Sequence, residues 1–249
     1  MNRSSVNLLD CFSEGIGLIF SKGFRRFVII PLLLNLLIFI FLSSLAIDYV
    51  HTLMASAETF LPHWLAWITW LLWPLFILTM LIVYAYCFNL ITTIIAAPFL
   101  GLLAEKVEAH ITGASPAEES LIKLIPRTFK RELTKLMYIV PRSLGIGLLI
   151  LVLMFLPGAN LLGALIGGIW GSWCLALQFC DYAADNHQLP FRYVRTQLGQ
   201  QKISCLGFGG VVLAGSAIPI INIVITPLAV AAGTIYWTKQ FTQLTHREV

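Results

Sequence analysis

The chain has 249 residues, of which 58% are hydrophobic and only 11% charged, with a mean hydropathy of +0.85. A soluble domain carries about 25% Asp, Glu, Lys and Arg, so this composition excludes a water-soluble globule and, with it, a nucleic-acid-binding or disulfide-rich secreted protein. The formal net charge is +4, and where the charges fall is more telling than their sum.

Four stretches contain no Asp, Glu, Lys or Arg: Phe27–Ile47, Thr59–Ala104, Ser143–Cys180 and Ile203–Thr238. About 20 apolar helical residues cross ~30 Å of hydrocarbon, so each stretch is long enough to enter a bilayer. The chain therefore reads as an all-α integral membrane protein, a single membrane domain over 1–249. Basic residues in short connections mark the cytoplasmic side. Residues 1–26 hold four of them, 105–142 seven, 181–202 three and 239–249 two. The connection 48–58, with Asp48 and Glu58 and no basic residue, is the one expected to be periplasmic.

In chain order, the N-terminal segment 1–26 begins with an amphipathic surface helix, since Leu9, Phe12, Ile16, Ile19 and Phe20 share one helical face. The run 27–47 is the first full span; it is too long for the core of a signal peptide and is expected to stay in the protein. The segment 59–104 must cross once, yet as a single helix it would extend roughly 69 Å, so part of it has to lie outside the hydrocarbon. Trp64, Trp67, Trp70 and Trp73 recur every third residue before Pro74. They predict an interfacial aromatic belt, followed by a crossing between Pro74 and Pro98.

The segment 105–142 predicts cytoplasmic amphipathic helices. Lys123, Arg127, Lys130, Arg131 and Lys135 fill one arc, and Ile122, Ile125, Phe129, Leu133, Leu136 and Met137 fill the opposite one. The plain expectation is a basic face lying on the cytoplasmic leaflet; the alternative is that some of these cations face an anion route. The stretches 143–180 and 203–238 are flanked by basic residues on both sides, so each is expected to enter and leave on the same face, as a helical hairpin. Their turns are placed at Pro157-Gly158-Ala159-Asn160 and at Pro219–Asn222. The arms reach roughly 21 to 30 Å, which fits either full crossings or re-entrant hairpins that penetrate partway. A tip at membrane depth must be covered by protein or line a water-filled cavity. A cytoplasmic loop, 181–202, joins the hairpins, and 239–249 forms the tail. Gly163, Gly167 and Gly171 share one face of the first hairpin's second arm, which favours close packing within the chain over oligomerisation.

The chemistry on offer is sparse. No G-x-x-x-x-G-K-[ST], H-E-x-x-H or G-x-S-x-G motif occurs, the five histidines lack metal-ligand spacing, and the five cysteines contain no C-x-x-C. Neither a catalytic constellation nor a metal or cofactor site is expected. The most suggestive polar element is Ser21-Lys22-Gly23-Phe24-Arg25-Arg26-Phe27, directly before the first span. Glycine permits a turn that gathers backbone N–H groups, the following helix adds its positive N-terminal end, and two arginines add forked donors. This makes an oxyanion cradle, although arginines at this place also satisfy the orientation rule.

Three segments carry a resemblance: Ala96-Ala97-Pro98-Phe99-Leu100-Gly101-Leu102-Leu103-Ala104-Glu105-Lys106-Val107-Glu108; Ile125-Pro126-Arg127-Thr128-Phe129-Lys130-Arg131-Glu132; and Cys180-Asp181-Tyr182 with Asp185-Asn186-His187. Together with Gly23-Phe24-Arg25-Arg26-Phe27, they resemble the CysZ family of bacterial sulfate permeases, collinearly across nearly the whole chain. Ala183 departs from the proline expected after the tyrosine. The resemblance implies a multi-pass protein of the bacterial inner membrane that imports sulfate for cysteine biosynthesis without a nucleotide site. It further implies two full spans, partially penetrating hairpins, assembly into a homo-oligomer, and a sulfate site at Gly23, Phe24, Arg25 and Arg26. Glu105, Glu108, Asp181 and Asp185 are expected near Arg127, Lys130 and Arg131, as pathway or gate residues at the cytoplasmic mouth. The rival reading is a non-transporting membrane scaffold that assists another transporter.

Overall fold

The computed structural model describes residues 6–60, 66–113, 121–156 and 158–245. They form eight helices: α1 (Leu8–Ile19), α2 (Arg25–Phe60), α3 (Ala66–Thr112), α4 (Leu121–Met154), α5 (Asn160–Asn186), α6 (Phe191–Gln200), α7 (Lys202–Ser216) and α8 (Pro219–Thr245), with no strand among the described residues. Arg25–Tyr49, Ile125–Met154 and Asn160–Asn186 are long and apolar enough to cross a membrane, and Phe76–Ala85 and Lys202–Ser216 are shorter apolar helices.

The chain divides into two compact units, residues 30–96 and residues 1–29 with 97–249. In the smaller unit, parts of α2 and α3 are tied by Ser43 and Tyr84, whose hydroxyls lie 2.8 Å apart, and by Phe39 set edge-on to Tyr84 and Phe88. In the larger unit, α5 packs against α4, α7 and α8, and α1 lies on α8 and α7. Phe12, Phe208 and Tyr236 stack in sequence at its centre, with centroids 5.1 and 6.2 Å apart. The helices approach closely where side chains are smallest. A Cβ on Gly209 of α7 would collide with the Ser172 carbonyl of α5.

Several expected boundaries shift. The connection 48–58 is helical, because α2 runs unbroken to Phe60. Helix α3 continues through Pro98 to Thr112 instead of ending there. Trp64 lies outside the described residues, as do the side chains of Trp67, Trp70 and Trp73, and the aromatic belt with them. Helix α4 joins the surface helix and the first hairpin arm into one element, running through Pro126 and Pro141. Proline removes one intrahelical hydrogen bond, a loss that interior helices of membrane proteins tolerate because neighbouring groups satisfy the freed carbonyls. At the first hairpin, α4 ends at Met154 and α5 begins at Asn160, with Gly158 between them at φ +80°. The second turn is Ala217-Ile218, so Pro219 opens α8 rather than capping the hairpin tip, as suits a residue with a fixed helical φ and no N–H to lose. The tail is helical to Thr245, and Lys239 bonds Glu14 at 2.5 Å.

Two amphipathic readings are corrected more deeply. On α1 the buried residues are Cys11, Phe12, Gly15, Leu18 and Ile19, whereas Leu9, Ile16 and Phe20 are exposed. Its apolar arc is thus wide enough to pack on α8 on one side and leave the other open. Helix α4 is inverted. Thr128, Glu132 and Lys135 are buried, while Ile125, Phe129, Leu133 and Met137 point outward, Met137 with 72% of its surface exposed. A basic face lying on a leaflet is therefore not what the structure contains. Polar residues inside and apolar residues outside are the arrangement that a non-aqueous exterior selects. The glycine face of α5 packs within the chain, as expected: a Cβ on Gly163 or Gly167 would lie 3.3–3.4 Å from Ile150 of α4, and one on Gly171 would lie 3.6 Å from Leu213 of α7.

Candidate functional site: an N-terminal turn and a buried ion network

Between α1 and α2 the chain makes a short turn from Phe20 to Phe24, with Gly23 at φ +96°. An L side chain is strained in that region, so glycine is required there. The Ser21 N–H bonds the Leu18 carbonyl, that of Phe24 bonds Ser21, and that of Phe27 bonds Phe24. Among the described residues, the N–H groups of Lys22, Gly23, Arg25 and Arg26 have no backbone acceptor. These donors gather at the start of α2, where the helix end carries a partial positive charge. Arg25 and Arg26 are both exposed. Arg25 Nε donates to the Phe20 carbonyl at 2.8 Å, which fixes the guanidinium while leaving its terminal nitrogens available, and the Arg26 guanidinium lies 5.0 Å from the Phe27 ring centroid.

Phe24, by contrast, is buried and sits edge-on to His110 at 6.0 Å. Its side chain anchors the turn, and its backbone N–H and carbonyl are already bonded to Ser21 and Phe27. Lys106 of α3 completes the arrangement. Its Nζ donates to the Gly23 carbonyl at 3.3 Å and lies 5.6 and 5.4 Å from the rings of Phe24 and Phe27. Lys106 has no carboxylate partner among the described residues, so this third cation adds its charge to the two arginines. Local sequence spacing could not reveal it, because Lys106 and Gly23 are 83 residues apart.

A second polar centre lies where α4 meets α5. Arg131 Nε and Nη2 donate to the two oxygens of Asp181 at 2.9 and 2.5 Å, and its Nη1 donates to the Leu189 carbonyl at 2.7 Å. Lys135 Nζ is 2.5 Å from Glu132 and 3.5 Å from Asp181, and lies over the Tyr182 ring at 4.6 Å. Gln178 Nε2 donates to the other Glu132 oxygen at 3.3 Å. Arg127 donates to the Asp185 carbonyl and lies 3.9 Å from its carboxylate. Three cations thus face three carboxylates; Lys135, Glu132 and Asp181 are almost fully removed from solvent, whereas Arg127 and Arg131 are only partly buried. Charges so deeply buried persist only when paired and hydrogen-bonded.

Of the expected pathway residues, the structure brings together Arg127, Arg131, Asp181 and Asp185. Glu108 sits apart from them, 2.6 Å from His187 Nε2. Glu105 is half-buried on the same helix, and Lys130 is exposed. Lys135, Glu132 and His187 complete these contacts and were not singled out as site residues. A signal for Lys135 existed: Arg127, Arg131 and Lys135 recur at intervals of four, as do Asp181 and Asp185, so each set forms a stripe on its helix. The hydrogen bond to Glu108 raises the His187 pKa above its ordinary value, against the opposing effect of burial. Among the described residues, no group of His, Cys, Asp and Glu side chains could hold a metal ion.

A helical bundle with apolar residues outside and paired charges inside defines an integral membrane protein, here with a cationic turn at the head of a long apolar helix. Comparison with known proteins makes the assignment specific. Residues 11–227 match the family described as "Sulfate transporter CysZ/Etoposide-induced protein 2.4". The chain is 40% identical over 235 residues to the "Sulfate transporter CysZ" of Pseudomonas aeruginosa strain LESB58, an alignment covering 91% of this chain and 92% of the relative. It is 38% identical over 244 residues to the protein of the same name from Vibrio cholerae serotype O1, covering 97% and 96%. A Pseudomonas syringae pv. tomato relative, also called "Sulfate transporter CysZ", is 40% identical over 234 residues. The chain belongs to the CysZ family.

Proposed function

We propose that this protein is a multi-pass sulfate permease of a bacterial inner membrane, without an ATPase site of its own, supplying sulfate for cysteine biosynthesis. The relatives' shared name supports the substrate. The observation that carries the site is the turn at Gly23: backbone N–H groups without acceptors beside Arg25, Arg26 and Lys106. Sulfate is a strongly hydrated dianion, and leaving water requires replacement of its lost contacts by several N–H donors and positive charges. The amides at the head of α2 and the two guanidiniums supply both. Phe24 serves as the buried anchor, and Lys106 holds the turn in shape by binding its one inward carbonyl.

The buried network plays a different part. Its cations are already matched by carboxylates, so it offers sulfate no unmet charge. It locks α4 to α5 and to the loop before α6, and it opens as a gate only when Arg131 and Lys135 exchange Asp181 for a passing anion. Glu105 and Glu108 belong to the same cytoplasmic mouth, Glu108 through its bond to His187. The hairpin of α4 and α5 is re-entrant. Tyr138, Arg142 and Trp170 mark an interfacial level, and from Arg142 to Met154 the arm spans roughly 18 Å, about three-fifths of the hydrocarbon thickness. Below that level the exposed row Ile125, Phe129, Leu133 and Met137 is apolar surface suited to a second copy of the chain, so the permease works as a homo-oligomer.

Uptake of radiolabelled sulfate into liposomes that contain only this purified chain tests the proposal. Sulfate entry that follows its inwardly directed gradient and is lost in Arg25→Ala/Arg26→Ala protein is the expected result. Liposomes that stay impermeable to sulfate, with folded protein in them, would instead identify a scaffold for another transporter.

A further inference from the structure

Beyond the sulfate turn and the ion network, one more cationic arrangement is built into the larger unit, and neither of those sites uses it. Arg142 of α4 and Arg195 of α6 lie over the same ring, that of Tyr138, at 4.0 and 4.8 Å from its centroid. Arg142 Nη1 also donates to the Tyr138 carbonyl at 2.9 Å, which holds the guanidinium back along its own helix. Pro141 stands at that turn and offers no N–H of its own. The ring is itself braced. Phe191 meets Tyr138 edge-on at 5.7 Å, and Trp170 lies 6.5 Å away with its indole N–H donating to Ser143 Oγ at 2.9 Å. Neither arginine has a carboxylate partner among the described residues, in contrast to Arg127 and Arg131, which do. Two guanidiniums sharing one ring, with no carboxylate partner among the described residues, concentrate unmatched positive charge at this place.

The surroundings identify what fills it. Arg142 is the last charged residue before the apolar arm of the hairpin. Leu149 and Val152 continue its helical face toward the tip, Leu156 follows just past the helix end, and all three are exposed. Tyrosine, tryptophan and arginine at one level are the residues that sit among headgroups. A ligand that fits must carry a phosphate for the two forks and hydrocarbon for the row above them. We propose that Tyr138, Arg142 and Arg195 form a binding site for an anionic phospholipid, whose phosphodiester bridges the two guanidiniums while its acyl chain runs along α4. A guanidinium meets phosphate oxygens with two parallel N–H donors, so both arginines act on one headgroup. A zwitterionic lipid brings its own ammonium to that position and is held less well.

Native mass spectrometry of the full chain in detergent, titrated with phosphatidylglycerol or phosphatidylcholine of the same acyl chains, tests the site. The wild-type protein should retain phosphatidylglycerol in preference to phosphatidylcholine. Arg142→Gln/Arg195→Gln protein should lose that preference, by about fivefold for each arginine removed. Arg142→Gln alone alters only an exposed side chain and should show the single step even if the double variant proves unstable. Sulfate binding at Arg25 and Arg26 should be unchanged in each, which keeps this result separate from the fate of the permease reading. The same preference for phosphatidylglycerol in wild type and Arg142→Gln protein would overturn the proposal. Displacement of the lipid by millimolar inorganic phosphate would also do so, since the site would then be one for a soluble anion.

Discussion

Arg131 grips Asp181 with two nitrogens, Nε at 2.9 Å and Nη2 at 2.5 Å, and so ties the polar face of α4 to that of α5. Asp181 is wholly buried, and Lys135 reaches its other side at 3.5 Å. Removing its charge takes away the bidentate partner of Arg131 and leaves three cations facing two carboxylates. Breaking a buried pair from one side costs about 3–5 kcal/mol. Asp181→Asn is therefore expected to lower the melting temperature of the detergent-solubilised protein strongly, whereas Lys130→Gln, at an exposed position on the same helix, leaves it unchanged. Equal melting temperatures for the two would mean that the network is not a structural lock.

The amphipathic pattern of α4 was visible in the sequence, because a period of 3.6 sorts Arg127, Arg131 and Lys135 from Phe129, Leu133 and Met137 in any environment. Periodicity carries no sign, however. It does not say which arc meets the rest of the chain and which faces away from it. Gly158 identified its turn because helix-breaking chemistry is local. Pro219 misplaced the second turn by two residues, since proline opens a helix as readily as it follows one. Lys106 and Gly23 meet only through the fold, and no local pattern announces a contact across 83 residues.

The Glu108–His187 contact carries a pH dependence of definite sign. The bond to Glu108 raises the histidine pKa, so the protonated ring is favoured in the folded protein. Its contribution is complete below the ordinary histidine value, about 6.5, and is lost as pH rises through the raised folded value. The melting temperature should fall between mildly acidic and mildly alkaline pH. His187→Gln should remove that part of the slope, because the glutamine does not titrate. An identical slope in His187→Gln protein would show that the contact carries no proton linkage.

Gly209 faces the Ser172 carbonyl so closely that no side chain fits unless α5 and α7 separate. Gly209→Ala is expected to cost about 1–3 kcal/mol, the usual penalty of overpacking, read as a lowered melting temperature. Gly210→Ala, next along α7, is the control, since its Cβ would meet Ser172 Oγ at an ordinary 3.7 Å. A similar loss in both variants would point to helix α7 itself rather than to its contact with α5.

Lys106 is expected to matter to the anion as well as to the turn. Lys106→Met keeps the length of the side chain while removing its charge and its bond to the Gly23 carbonyl. Sulfate affinity should drop about tenfold, the worth of one charge-assisted hydrogen bond, and the dependence of binding on salt should flatten. Unchanged affinity would confine the anion to the arginines and amides.

The central claim is that the turn from Gly23 to Arg26 captures sulfate, and calorimetric titration of sulfate into the purified full-length protein tests it most directly. Saturable binding by the wild type, abolished in Arg25→Ala/Arg26→Ala protein that retains its melting temperature, is the predicted result. Undiminished sulfate binding by that folded double variant would contradict the account.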